Sequence, residues 1–517
     1  MSTVTDSVSA ANPHTRALAS PRQWWGLSIL VLPTWLLGLD VGVLHLAAPQ
    51  LGAALAPSST QMLWILDIYG FMIAGFLVTM GTLGDRIGRR KLLLIGAAAF
   101  GCASVLAAYS QSAEMLILTR ALLGIAGATL MPSTLALISN IFVDPRQRSI
   151  AIGIWLVNFM SGIALGPVVG GLLLEYFWWG SVFLLGVPVM VLLLATGPFI
   201  LPEFKDPSAG RLDLVSVALS LAALLPIVYG FKEMAKSGLQ PAALLAIGIG
   251  LLMGLVFARR QRRLPNPLLD LSLFRNSTFS AALVVLLLVH IALSFIMVLL
   301  QQLQLVEGLS ALHAGLWLLP GLVGNIAMAI IAPILARHVQ PVYVIVTGLV
   351  LAVAGYGFYT QVDTDGGLAT LIVGSVLMFV GLAPMIVLGT DLVVSAAPPA
   401  KAGSAASLSE TAAELGIALG VAYFGSVMTA VYARQMAQAD LPHNPDGGEV
   451  DPSVRDNLPA ALAAAEQGPP EFAHQLLNPA REAFTAGLNL GAVTVGLMLV
   501  AVTVAAMLSL RGIKRIG

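Results

Sequence analysis

Residues 81–91 read GTLGDRIGRRK and follow directly on the apolar run 63–80. A lipid-buried segment that ends in glycines, an acid and four clustered bases has left the bilayer where Lys and Arg accumulate. Under the positive-inside rule that is the cytoplasmic side, and Arg86, Arg89, Arg90 and Lys91 supply the signal. Gly81 opens the stretch, and Gly84 and Gly88 let two spans turn tightly and their backbones approach. Asp85 is placed to pair with a basic group or the end of a neighbouring helix, and so to latch this loop to another span. A purely topogenic turn explains the bases but not the order of glycines and acid.

The rest of the chain has the composition this reading requires. Of 517 residues, 58% are hydrophobic and 10% charged, against roughly 25% charged in soluble domains. Many apolar runs reach the ~20 residues needed to cross a bilayer, so the fold class is an all-α polytopic membrane protein. Lys and Arg together number 26, as do Asp and Glu, so net charge points to no nucleic-acid partner. The single cysteine, Cys102, lies in an apolar run and reads as a small core residue; it rules out an intramolecular disulfide and a cysteine metal site. The first apolar run is too long for the apolar region of a signal peptide and reads as a retained span.

About fourteen spans are expected: 24–46, 63–83, 91–109, 114–136, 150–174, 181–201, 213–231, 241–258, 279–300, 312–335, 341–360, 368–395, 404–431 and 484–510. Assigning the loops alternately puts twenty of the 26 bases on one side, which makes that side, and both termini, cytoplasmic. Residues 1–23 form a cytoplasmic tail and 24–201 a first bundle of six helices. Residues 202–278 form a linker with two extra spans, 279–510 a second six-helix bundle, and 511–517 a second tail. The basic loop 259–275 reads as topogenic, with anionic-lipid contact as the lesser reading. Residues 432–483 form an external loop far above the usual length, with short helices expected over 458–467 and 471–480. It reads as a solvated connector rather than as a cap over the external mouth.

The order GxLGDRxGRRK between two spans resembles the loop signature between the second and third spans of major facilitator superfamily transporters. Six, two and six spans resemble that superfamily's fourteen-span drug:proton antiporter branch, the quaternary-ammonium and multidrug exporters. Two parallel bundles around a midplane site is a transporter repeat pattern. In the second half, 332–341 (APILARHVQP) takes the place of the opening motif without its acid or glycines, so the repeat rests on span order. Residues 162–171, GIALGPVVGG, resemble the fifth-span antiporter signature. Gly162, Gly166 and Gly170 permit close helix packing, and Pro167 a bend.

Ionisable side chains inside spans are costly, and each is a functional candidate. Asp40, in GLDVGVLHLAAP, partly matches the branch's first-span pattern through Leu39, Asp40, Ala47 and Pro49, with Gly42 and Ala48 departing from it. The resemblance implies an acid that couples protons or binds cations; a structural carboxylate between helices is the alternative. Asp67, in LWILDIYGF, sits beside Trp64 and Tyr69, where a carboxylate and two rings suit an organic cation. An interfacial belt explains the rings alone. Glu410 and Glu414, in ASLSETAAELGIALG, lie on one helical face about 6 Å apart. Two carboxylates in low dielectric do not both ionise cheaply, so one is expected to hold a proton near neutral pH. Solvated acids at a frayed helix start are the alternative. Arg120, in LTRALLGIAGA, matches the family's fourth-span arginine; a buried guanidinium needs a partner, and Asp40 is a candidate.

His45 and His290 read as satisfied core residues rather than proton relays, and Asp391 as a secondary acid. Asn325 stands where some relatives carry an acid that serves dications, which implies weaker recognition of those here. The resemblance implies a secondary transporter, not an enzyme, in the cytoplasmic membrane. It would act as a monomer and export lipophilic cationic drugs and antiseptics (quaternary ammonium compounds, dyes, biguanides) in exchange for protons. Its partners are then small organic cations, protons and the lipid bilayer; no cofactor or metal is expected, the proton gradient being the energy source. The alternative cargo is a neutral or anionic lipid, siderophore or antibiotic.

Overall fold

The computed structural model describes residues 19–55, 57, 59–205, 213–237, 240–264, 267, 269, 271–309, 311–363, 367–398, 401–442, 451–466, 468–511 and 513. Fourteen long helices carry the fold: α1 (Pro21–Leu55), α2 (Ser59–Ile87), α3 (Arg89–Ala108), α4 (Ala113–Ile141), α5 (Pro145–Tyr176), α6 (Ser181–Ile200, interrupted at Leu185) and α7 (Leu214–Ser237). They continue with α8 (Pro241–Gln261), α9 (Ser277–Val306, ending in a π turn), α10 (Ala311–His338), α11 (Pro341–Tyr359), α12 (Leu368–Ser395), α13 (Ala402–Gln438) and α14 (Pro470–Ser509). Among the described residues twelve helices are long and apolar enough to cross a membrane. The other two, α1 and α5, have 35 and 32 residues and occupy the places of the expected spans 24–46 and 150–174.

Local chemistry sets many of the helix starts. Ser112 and Asp144 accept from the backbone N–H groups of Met115 and Gln147, and Pro145, Pro241 and Pro341 stand in first turns where no donor is lost. The helices outrun the apolar windows of the sequence because they continue into polar residues at their ends.

α1–α6 pack chiefly among themselves, as do α9–α14, and α7 pairs with α8. Contacts between the two larger groups run through α2 and α4 against α13, and through α5 against α10 and α12. α7 lies along this seam, touching both α2 and α13. One end of the bundle gathers the basic connectors: Arg86 donates to the Pro267 carbonyl at 3.2 Å, and Arg260 pairs with Asp213 at 2.8 Å. The segment after α8 is thus tied back to its neighbours by specific bonds. We call this the basic end.

Three expectations are corrected. The short helix expected over 471–480 does not stand apart: α14 runs unbroken from Pro470 through Pro479, a continuous helix of 40 residues. The long loop is not a solvated connector. A turn of 3-10 helix, Pro452–Arg455, and a helix, Leu458–Ala465, bury Val454, Leu458 and Ala461 against the bundle. The Tyr432 hydroxyl donates to the Val454 carbonyl at 3.1 Å, and Arg455 donates to the Met436 carbonyl. Its many acids hid a sparse apolar stripe. Cys102, expected in the core, is exposed, because α3 lies at the bundle's periphery and buries only half of its span.

Candidate functional site

At the basic end GTLGDRIGRRK forms a junction of three helices. Gly88 takes φ 112°, a left-handed conformation that suits glycine alone, and lets α2 turn straight into α3. A side chain at Gly81 would strike Ser407 and the Gly403 carbonyl, with contacts of 2.5–2.7 Å, so here α2 touches α13 backbone to backbone. The neighbours of Gly84 are at 3.3 Å or more; the close approach therefore falls at Gly81. Asp85, 5% exposed, accepts from Arg89 Nε and Nη2 at 2.8 and 2.6 Å. It also accepts from the backbone N–H groups of Gly403 and Ser404, at 3.2 and 3.0 Å. These are first-turn donors of α13, which carry no intrahelical partner and the positive end of the helix dipole. Asp85 therefore joins a buried arginine to a helix end more than three hundred residues away, the latch that its sequence position suggested.

Two further contacts at this end were not legible in the sequence. Glu203 accepts from the Arg90 and Lys91 backbone N–H groups, both at 3.0 Å, and so caps α3. Asp391 of α12, read as a secondary acid, binds Arg148 Nε at 2.7 Å and accepts from Ser149 Oγ. It is a second tie across the seam, between α12 and α5.

Deeper in the bundle a charged centre is assembled from α1, α2, α4 and α6. Arg120 Nη1 meets Asp40 Oδ2 at 2.7 Å, its Nε donates to the Ile65 carbonyl at 3.3 Å, and its guanidinium lies 4.5 Å from the Tyr69 ring centroid and 6.0 Å from that of Phe183. Arg120 is 2% exposed whereas the Asp40 side chain is 17% exposed, so the carboxylate is the wetter partner. The charge of Glu414, on α13, acts on the Tyr69 hydroxyl together with those of Asp40 and Arg120. Tyr69 thus lies within electrostatic reach of carboxylates from both sides of the seam. One turn before Glu414, Glu410 is buried and its carboxylate interacts with that of Glu414.

The position of Asp40 depends on a glycine contact. A side chain at Gly162 would lie 2.2 Å from the Trp35 carbonyl, and one at Gly38 2.2 Å from the Phe159 carbonyl. α1 and α5 cross at these two residues, and Gly170 continues the seam against Val43. Gly166 is buried on the same helix. Gly38 was missed; its signal was a small residue two positions before the acid.

Trp64 is not brought to this centre. It is 37% exposed and pairs with Phe71 at 5.9 Å, on the face of α2 that meets Val228 of α7. The side chains of His45, Asp67 and Pro167 lie outside the described residues. His290 Nδ1 is 2.8 Å from the Leu286 carbonyl, the contact of a core histidine. Asn325 donates to the Phe379 carbonyl at 2.8 Å beside a cavity of about 20 Å³. At the opposite end from the basic loops, Glu307 follows the π turn of α9. Burial pushes its carboxyl up, and the charge of Arg481 opposes that.

Residues 30–421 match the family model described as Major Facilitator Superfamily. The chain is 42% identical over 473 residues to the multidrug efflux pump LfrA of Mycolicibacterium smegmatis, covering 91% of this chain and 93% of that one. It is 34% identical over 470 residues to the methyl viologen resistance protein SmvA of Salmonella typhimurium, covering 90% and 93%. Among solved structures it resembles the human organic anion transporter MFSD10 with a TM-score of 0.58 at 17% identity, over 93% of this chain and all of that one. That last likeness concerns the fold.

Proposed function

The chain belongs to the Major Facilitator Superfamily, and from that premise we propose that it exports lipophilic cationic drugs and antiseptics in exchange for protons. The single observation that carries the reading is the buried Asp40–Arg120 pair against the Tyr69 ring, with Glu414 across the seam near enough for its charge to act on that ring's hydroxyl. A cation entering there meets carboxylates and an aromatic face, and its charge displaces a proton from the acids. Arg120 holds Asp40 in place through the 2.7 Å contact. Export of small molecules agrees with the drug-efflux relatives, one of which is named for methyl viologen resistance.

The membrane is the cytoplasmic one, with both termini and the basic end inside, and the protein acts as a monomer without cofactor, driven by the proton gradient. α1–α6 and α9–α14 are the two rocking bundles, with α7 and α8 as the added pair. The Asp85 and Asp391 contacts then close the cytoplasmic side, and the cargo leaves at the opposite end. Each elementary charge moved against 100 mV costs about 2.3 kcal/mol, so the number of protons exchanged sets the gradient attainable. A second reading, export of a neutral or anionic antibiotic, has the support of a relative 32% identical and named for tetracenomycin C resistance and export. Everted vesicles carrying the protein decide between the two. Uptake of a cationic dye is expected to follow an imposed pH gradient and to be lost in Glu414→Gln. Gradient-driven uptake unaffected by that change would remove the acids from the mechanism.

A further inference from the structure

Beyond the charged centre, the structure holds a cavity of about 310 Å³ beneath the docked loop. Its walls include Met297, Phe424, Met428, Tyr432 and Phe484, and Asp456 lies at its rim. The volume reaches the lower range of small-molecule sites, about 300–1,000 Å³. The wall chemistry is specific: three rings and two methionines form a polarisable, adaptable surface, with one exposed carboxylate at the edge. Val421, Gly425, Met428 and Tyr432 line it from α13, at 7, 11, 14 and 18 residues beyond Glu414, so they share that acid's helical face. At 1.5 Å per residue the cavity begins about 10 Å along this face from Glu414. The loop that supplies Asp456 is pinned to the same helix through Tyr432 and Arg455.

We propose that this cavity is a second binding site for lipophilic organic cations, on the exit side of the central acids, with Asp456 as its charge partner. The assignment rests on the function proposed above. A cation released when Glu414 takes up a proton finds, on the same helix face, an aromatic and methionine-lined pocket with a carboxylate at its edge. The docked loop is then part of the binding wall and moves with α13.

The test is protection of a single cysteine in the full-length protein in nanodiscs. With Cys102→Ser as background, Met428→Cys or, independently, Thr429→Cys is alkylated by a maleimide with and without tetraphenylphosphonium. With the cation at about four times its dissociation constant, labelling is expected to slow about fivefold, the factor being one plus the ratio of cation concentration to Kd. Tetraphenylborate, the same shape with the opposite charge, is expected to give no protection. Adding Asp456→Asn should abolish most of the protection by the cation, whereas Glu466→Gln, an acid on the same loop that does not line the cavity, should leave it intact. Absent protection at both positions, equal protection by the borate, or protection that survives Asp456→Asn would each overturn the site. Labelling needs no turnover, so the two readings fail separately. Protection at 428 with efflux insensitive to Glu414→Gln sinks only the transport mechanism, and lost protection with efflux that requires Glu414 sinks only this site.

Discussion

Replacing Asp85 by asparagine removes one negative charge from the junction of α2, α3 and α13 with little change of volume, and two costs follow. Arg89 is 2% exposed, and depriving a buried cation of its partner costs about 3–5 kcal/mol. Arg89 and Asp85 lie four residues apart on the same side of the seam, so this cost falls equally on every state and appears as lost folded protein. The bonds to the Gly403 and Ser404 N–H groups exist only while α13 abuts α2. A charge at a partly buried helix N-terminus is worth up to about 2 kcal/mol, and the asparagine oxygen still accepts one bond. The closed state should therefore lose about 1–2 kcal/mol, or about 5–30-fold in its ratio to the open one. Spin labels at Arg146→Cys and Val339→Cys, in a Cys102→Ser background, report the separation of α5 and α10 at the basic end by double electron–electron resonance. Asp85→Asn should transfer population from the short to the long distance by that factor. An unchanged distribution in folded protein would refute the latch.

Other expected outcomes come from the same geometry. Arg120→Lys keeps the charge but loses the stack on Tyr69 and the bond to Ile65, together about 2 kcal/mol; thermal unfolding in detergent and dye efflux should both fall, and wild-type values in both would dismiss the cluster. Gly162→Ala drives a methyl into the Trp35 carbonyl and should destabilise by about 1–3 kcal/mol, whereas Gly171→Ala, inside the same helix with nothing within 4 Å, should keep the melting temperature or raise it slightly. Burial raises the Glu307 carboxyl above its unfolded value, so the folded state binds the proton more tightly and stability falls as pH rises from the unfolded pKa through the folded one. Glu307→Gln should remove that slope and raise the melting temperature at neutral pH, and an unaltered profile would contradict the burial argument. Asp213 is held below its ordinary value by the Ser216 hydroxyl and Arg260; its contribution is present above the unfolded pKa and lost as pH falls through the folded one, which a titration of Asp213→Asn against wild type would detect as a difference confined to acid pH.

What the sequence disclosed depended on whether the signal was local. The length and apolarity of the spans, the basic turn at 81–91 and the glycine spacing at 162–170 are written into contiguous residues, and the helices follow them. The Asp40–Arg120 pair was inferable because a guanidinium in a span demands a carboxylate and few are present. Which helix end Asp85 would meet was not, since Gly403 is an ordinary small residue until folding brings it to α2. Asp391 looked secondary for the same reason: Arg148 and Ser149 are some 240 residues away. Trp64 and Tyr69 read as one aromatic pair, yet five residues on a helix turn them to different faces, one toward Phe71 and the other under Arg120. In the long loop, eight acids concealed three apolar anchors, Val454, Leu458 and Ala461.

The central claim, that acids in the bundle exchange protons for cationic cargo, is tested most directly by proton release. Purified protein in lightly buffered detergent is titrated with tetraphenylphosphonium while a pH dye records the solution. The mechanism predicts release of about one proton per cation bound, the stoichiometry of competition for a shared carboxylate, and none from the Glu410→Gln, Glu414→Gln double variant. Cation binding with no proton released by the wild type would contradict it.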